Sequence, residues 1–145
     1  RDIMAVAKAS GVNPRQFFFQ SFDVDSLRIL KSFVDQQHLG WKISPLLGTV
    51  EDIMTVPQQL GAEIVTPYYG PYDVDDPKHP GQKIHRKGLT KAMLDTLHAE
   101  HIQVVPWTVD NAKDMKKLIA MGVDGIITNN VPLFVAVRKE LCGGR

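Results

Sequence analysis

The chain has 145 residues, enough for about one domain with a real hydrophobic core. Hydrophobic residues make up 43% and charged residues 23%, the balance of an ordinary globular chain. Seventeen basic residues against sixteen acidic ones leave a formal charge of +1, so no basic excess points to nucleic acid or to an anionic membrane surface. The single cysteine, Cys142, excludes an internal disulfide and a cysteine-built zinc cluster. No apolar run is long enough to span a bilayer. The chain opens Arg1-Asp2 with no Met and no signal-peptide pattern, which reads as a processed chain or a fragment. Gly143-Gly144-Arg145 reads as a fraying tail.

Residues 2–10 read as a helix, with Ile3, Met4, Ala7 and the later Val12 on one face and Gly11 just beyond its end. Asn13-Pro14 is turn chemistry. The dense aromatic run Gln16–Phe22 predicts a strand buried on both faces. Asp23 or Asp25 then caps a helix whose stripe is Leu27, Leu30 and Val34, with Gly40 closing that region. Trp41–Leu47 follows as a strand weakened by Pro45, then a helix from Glu51 to Leu60 ended by Gly61, then a strand over Ala62–Thr66. Met93, Leu94 and Leu97 mark an amphipathic helix between Leu89 and His101, and Ile102–Val109 is the next strand. A helix from Asp110 to Met121 is ended by Gly122, Val123–Thr128 is a fifth strand, and Pro132 starts a last helix through Leu141.

Helices and strands alternate with short connections and no hairpin, so the pattern predicts βα units and a parallel sheet. One connection, Tyr68 to Arg86, is far longer than usual and would leave the C-terminal end of the third strand, where ligand sites gather in such folds. A doubly wound open sheet fits the length. A (β/α)8 barrel needs roughly 250 residues and would be only partly represented. The opening helix favours the barrel, since such a helix normally follows a strand.

No glycine-rich phosphate loop is present, and Gly70-Pro71 and Gly122 read as turns or caps. His98 and His101 share helical spacing but have no partner spaced to support a metal. Asp73, Asp75, Asp76, His79 and His85 crowd the long loop, yet the later Gly and Glu of a calcium loop are missing. Two strand ends are more informative, Phe19–Asp23 and Val105–Asp110, where polar groups stand beside a large aromatic. Alternation puts Gln20 and Phe22 on one face and Ser21 on the other, and likewise pairs Trp107 with Val109.

The segment Trp107-Thr108-Val109-Asp110-Asn111, then Asp114-Met115, then Gly122-Val123-Asp124-Gly125-Ile126-Ile127-Thr128-Asn129-Asn130-Val131-Pro132, resembles the C-terminal signature of glycerophosphodiester phosphodiesterases. Gln20-Ser21-Phe22-Asp23 followed by Ser26-Leu27 resembles an earlier block of the same family. The resemblance runs from about Asp2 to Phe134 and is weakest over Tyr68–Arg86; where Asp110 and Asn129 stand, the family usually has Asn and Asp. It implies a (β/α)8 TIM-barrel fold, with residues 1–145 as the C-terminal portion, roughly half or more, of a single phosphodiesterase barrel domain. It also implies metal-dependent hydrolysis of a glycerophosphodiester to a glycerol phosphate and an alcohol, chemistry that belongs to lipid and glycerol metabolism. The divalent cation, Mg or Ca, and a pair of catalytic histidines would do that work. The family's His-Arg-Gly, Glu-x-Asp and second-histidine motifs find no match here. No catalytic or metal-binding residue is therefore assigned, and those groups are expected upstream, leaving the fragment inactive by itself. What the resemblance leaves in this chain is a pocket wall for substrate: Gln20, Ser21, Phe22 and Trp107.

Two other readings stand beside it. A related phospholipase would attack a lipid phosphodiester with the same barrel and would need apolar surface near the pocket, for which Tyr68, Tyr69 and Tyr72 are the candidates. A non-catalytic flavodoxin-like binding domain would reverse its strand order about a central strand. The expected partner is a small-molecule glycerophosphodiester, with no nucleic acid. Open barrel edges predict self-association of residues 1–145.

Overall fold

The computed structural model describes residues 5–6, 9–13 and 16–143. Of the expected first helix, residues 5, 6 and 9 are helical, while Ile3, Met4 and Ala7 lie outside the described residues, as do Pro14 and the last two residues of the tail. From there the chain runs through β1 (Phe18–Ser21), α1 (Val24–Gln36), β2 (Lys42–Leu47), α2 (Thr55–Leu60) and β3 (Ile64–Pro67). A hairpin of β4 (Tyr72–Asp75) and β5 (Lys83–Arg86) comes next, then α3 (Lys91–Ala99), β6 (Gln103–Val104), α4 (Ala112–Met121) and α5 (Val131–Cys142).

The helices other than α2 begin where a short polar side chain replaces a missing helical acceptor. Asp23 accepts from the Asp25 and Ser26 amides at 3.0 and 3.3 Å and so starts α1. Thr90, Asn111 and Asn130 do the same for α3, α4 and α5. Gly61 and Gly122 end α2 and α4 at φ of 59° and 93°, a region that L side chains rarely adopt. Helix α2 is shorter than expected: residues 51–54 form turns, and regular helix starts only at Thr55.

β1, β2, β3 and β6 form one sheet in that order, with all three pairings parallel. The order follows the chain and never reverses, as a barrel wall requires and a doubly wound sheet does not. The expected fifth strand is not a regular ladder. Residues 123–127 instead lie alongside the preceding segment through Asp124 N to Val104 O at 3.0 Å, Ile127 N to Pro106 O at 2.9 Å and Val109 N to Ile127 O at 2.9 Å. Regular pairing fails because Pro106 has no N–H, and the Val104 amide donates to the Asp124 carboxylate at 2.8 Å rather than to a backbone carbonyl. On the other side, the regular ladder of β6 with β3 covers two residues only, where Pro67 of β3 has no N–H to extend it.

Two further expectations need correction. β1 is not buried on both faces; it is the edge strand, and Phe18 and Phe22 are 42% and 61% exposed. The long connection is not hairpin-free either. β4 and β5 pair antiparallel, with Tyr72 opposite Arg86 and Val74 opposite Ile84. Their outward face carries Asp73–His85 and Asp75–Lys83 pairs at 2.8 and 2.5 Å, so these charges of the long loop serve cross-strand pairing.

The main core lies between the sheet and helices α3–α5, built from Val65, Val104, Leu94, Leu97, Met115 and Leu118 among others. A second cluster joins α1 to β2 and α2 through Leu27, Ile43 and Leu60. Phe17 and Phe19 pack with Trp41, Val34 and Leu30 in a third. This assigns the faces of β1: Phe17 and Phe19 look toward the helix layer, and by alternation Phe18, Gln20 and Phe22 look the other way.

Candidate substrate wall at the strand ends

Phe22 and Trp107 meet edge to face, ring centroids 5.4 Å apart and planes at 83°. They belong to opposite margins of the sheet, Phe22 just past β1 and Trp107 just past β6. Three flat interstrand spacings would separate those backbones by about 14 Å. Tyr68, at the end of β3, adds a third ring 5.9 Å from Trp107. Three strand ends thus turn aromatic rings toward one point, on the concave side of a curling sheet and at its C-terminal end.

Trp107 is held there by the backbone. Its amide donates to Pro67 O at 3.1 Å and its indole Nε1–H donates to Thr66 O at 2.9 Å. The one polar group of the ring is therefore occupied, and what remains for a ligand is its apolar face. Thr66 is fully buried and in turn donates its hydroxyl to Pro45 O at 2.8 Å while accepting from Ser44 Oγ at 3.2 Å. Two buried hydroxyls therefore brace the strand under the tryptophan, and among the described residues no buried side-chain nitrogen or oxygen lacks a partner.

Of the residues expected from sequence, Phe22 and Trp107 come into contact, and Gln20 shares the face of Phe22. Ser21 stands on the opposite face, and its Oγ accepts from the Asp23 amide at 3.0 Å, which shapes the turn into α1. Val109 does not accompany Trp107. It is fully buried in the main core while Trp107 is half-buried, because strict alternation lapses once regular strand ends at Val104.

Sequence reasoning missed two polar clamps beside this wall. Asp110 accepts from Thr128 Oγ1 at 3.0 Å, from the Asn129 amide at 2.8 Å and from Asn129 Nδ2 at 2.9 Å. These bonds, the one from the Asn129 side chain foremost, hold the Asp110 carboxyl below its usual range. Positions 110 and 129 were noticed as departures from the resembled family, yet only the fold brings them together. Tyr69 donates to Asp114 at 2.9 Å and Asn111 Nδ2 donates to the same oxygen at 2.7 Å. Burial first, and the Asp114 carboxylate second, push the Tyr69 phenol up to about 12. Asp114 is lowered by the Asn111 and Tyr69 hydrogen bonds.

The histidines hold no shared site. His98 Nε2 pairs with Asp124 at 2.8 Å, and His79 pairs with Asp76 at 2.8 Å. Among the described residues, no three His, Cys, Asp or Glu side chains gather to hold a metal ion. These residues do not fit a divalent-cation site. No helix among them is long and apolar enough to cross a membrane.

A curved parallel wall whose strands follow chain order is part of a (β/α)8 barrel. The chain belongs to the glycerophosphoryl diester phosphodiesterase family, whose model matches residues 1–133. Among curated proteins it is similar to a glycerophosphodiester phosphodiesterase from Bacillus altitudinis, 36% identical over 63 residues, which are 43% of this chain and 25% of that one. Among solved structures it is similar to a phosphodiesterase from Oleispira antarctica in complex with the product sn-glycerol-3-phosphate. That match has a TM-score of 0.66 and 11% identity over 93% of this chain and 47% of the other. A glycerophosphodiester phosphodiesterase from Thermotoga maritima matches with a TM-score of 0.57 and 20% identity over 94% of this chain and 53% of that one. At these identities the structures speak to the fold. The chain spans about half the length of the solved structures it matches.

Proposed function

We propose that residues 1–145 are the C-terminal portion of one phosphodiesterase barrel, and that the whole protein hydrolyses glycerophosphodiesters to a glycerol phosphate and an alcohol. In this reading the catalytic histidine pair and the ligands of a divalent cation, Mg or Ca, belong to polypeptide preceding residue 1. The cation would neutralise charge developing on the phosphoryl oxygens. This chain's own task is binding and orientation. Trp107 and Phe22 take the apolar side of the glycerol, for which a ring face with its N–H already engaged is suited. Gln20, on the same face, offers an amide to a phosphate or hydroxyl oxygen, and Ser21 holds the turn that presents Phe22.

The observation that carries the proposal is the meeting of Phe22 and Trp107 across the curled sheet, which makes a wall at the end where barrel enzymes bind substrate. The family match over residues 1–133 and the glycerol phosphate bound to the Oleispira protein agree with it. The test is release of glycerol phosphate from glycerophosphocholine by the full-length protein, with residues 1–145 assayed beside it. Release by the full chain only is expected. No release by the full chain with Mg or Ca supplied refutes the activity, and release by residues 1–145 refutes the division of labour.

A further inference from the structure

Tyr68, the third ring of the aromatic wall, is held by its neighbours on several sides. Its backbone joins Trp107 in a parallel bridge, and its amide donates to Leu47 O at 2.7 Å. Its ring centroid lies 5.9 Å from that of Trp107 and 5.7 Å from that of Tyr69. Tyr69 is itself anchored, since it packs on the main core and donates its hydroxyl to Asp114 at 2.9 Å. Against the Tyr68 phenol lies Gly70, which is buried. A Cβ atom at Gly70 would stand 2.7 Å from the Tyr68 hydroxyl oxygen and 3.0 Å from the ring carbon that bears it. The Tyr68 phenol therefore fills the space that an alanine methyl at position 70 would need.

The Tyr68 hydroxyl differs from the polar group of Trp107. The indole N–H is engaged by Thr66 O, whereas the Tyr68 hydroxyl has no hydrogen-bond partner among the described residues. No buried side-chain oxygen among them lacks a partner, so this hydroxyl reaches solvent. Tyr68 thus offers a flat apolar face beside Trp107 and one free group that both donates and accepts. A glycerol phosphate carries C–H groups, hydroxyls and phosphate oxygens within a few bonds of one another, so it can meet both.

We propose that Tyr68 is a further substrate-binding residue, its ring against the glycerol carbons and its hydroxyl on a hydroxyl or phosphate oxygen, and that Gly70 is the positioning residue that keeps the ring beside Trp107. The ligand assignment rests on the phosphodiesterase reading above; the placement of the ring by Gly70 does not.

Gly70 is not among the glycines at positive φ, so its backbone accepts alanine, and what a methyl would displace is the far end of a side chain. Gly70→Ala is therefore expected to swing Tyr68 away from Trp107 without unfolding the protein. Binding of sn-glycerol 3-phosphate to the full-length protein is measured by calorimetry. Tyr68→Phe is expected to weaken it about threefold to tenfold, as loss of one hydrogen bond does, and Tyr68→Ala about tenfold or more. Gly70→Ala is expected to match Tyr68→Ala, and the double variant to bind no more weakly than Tyr68→Ala alone. Binding within about twofold of the parent in either Tyr68 variant, or losses that multiply in the double variant, overturns the proposal.

Fluorine NMR of protein labelled with 5-fluorotryptophan reads the ring placement with no ligand present, the Trp107 signal being assigned by its loss in Trp107→Phe. Gly70→Ala and Tyr68→Ala are both expected to move that signal. An unmoved signal in Gly70→Ala overturns the positioning role. If the parent neither binds sn-glycerol 3-phosphate nor cleaves glycerophosphocholine while the signal moves as expected, the phosphodiesterase reading and the substrate contact fail together, and the positioning of Tyr68 by Gly70 stands.

Discussion

β1 and β3 are strands of equal length, and β1 with its flanks is the more aromatic of the two. All four residues of β3 are buried, whereas β1 alternates between exposed and half-buried. The difference is position. β3 has β2 on one side, β6 on the other and the α3–α5 layer behind it. β1 pairs with β2 alone among the described residues, so its concave face, Phe18, Gln20 and Phe22, meets only what reaches it from across the curl. Apolar content brings a strand into a sheet, but the number of neighbours determines how much of it is covered.

The comparison is most directly broken by truncating one residue on each side of the β1–β2 pairing in the full-length protein. Ile43 of β2 is 1% exposed, and Ile43→Ala is expected to cost about 2–5 kcal/mol in denaturant unfolding, through lost burial and a residual cavity. If Phe18 is as exposed in the full-length protein as it is here, Phe18→Ala costs less than about 1 kcal/mol despite the larger side chain. A large cost at Phe18 would show that further polypeptide covers this edge and would measure how strongly.

Trp107→Ala ranks next. The ring is half-buried and hydrogen-bonded to Thr66, so a stability loss of about 2 kcal/mol is expected, below that of a fully buried tryptophan. Its sharper readout is a raised KM for glycerophosphocholine with metal affinity unchanged. A drop in Tm with KM unchanged would reduce the aromatic wall to core packing.

Tyr69 and its bond to Asp114 test whether the hairpin base is pinned as firmly as the sheet. Its pKa is raised to about 12 from an ordinary 10.0, so the folded state favours the protonated phenol. The stabilisation is therefore complete below pH 10.0, declines as the unfolded tyrosine ionises, and is gone once pH passes about 12. Tyr69→Phe should cost about 1–2 kcal/mol at neutral pH and flatten that alkaline decline, which urea melts across the range would reveal.

The smallest expected effect is at Asp110 and Asn129. Asp110→Asn and Asn129→Asp should each lower Tm, the second by setting two carboxylates against each other. The double exchange should restore most of the loss, since it remakes an Asp–Asn pair with its partners reversed. Additive losses would mean that the two positions are not coupled. The Asp110 carboxyl titrates below its usual range, so its contribution is present at neutral pH and is lost on acidification through that lowered value.

The cap of α1, read as Asp23 or Asp25, the αL glycines at 61 and 122 and the alternation of helix with strand were legible because each rests on chemistry within a few residues. The two strand-end blocks were legible as well, since Phe22 and Trp107 sit where parallel strands finish. What tertiary structure alone decided depends on groups far apart in the chain. The edge position of β1 follows from which strand pairs with which, and nothing within Phe18–Ser21 encodes it. The hairpin hid in a stretch rich in proline, glycine and charge, whose short strands gain stability from cross-strand pairs such as Asp73–His85. The bracing of Trp107 by Thr66 and Ser44 spans 41 and 22 residues. Those hydroxyls are unremarkable until the sheet curls and removes water, after which each must find its partner inside the protein.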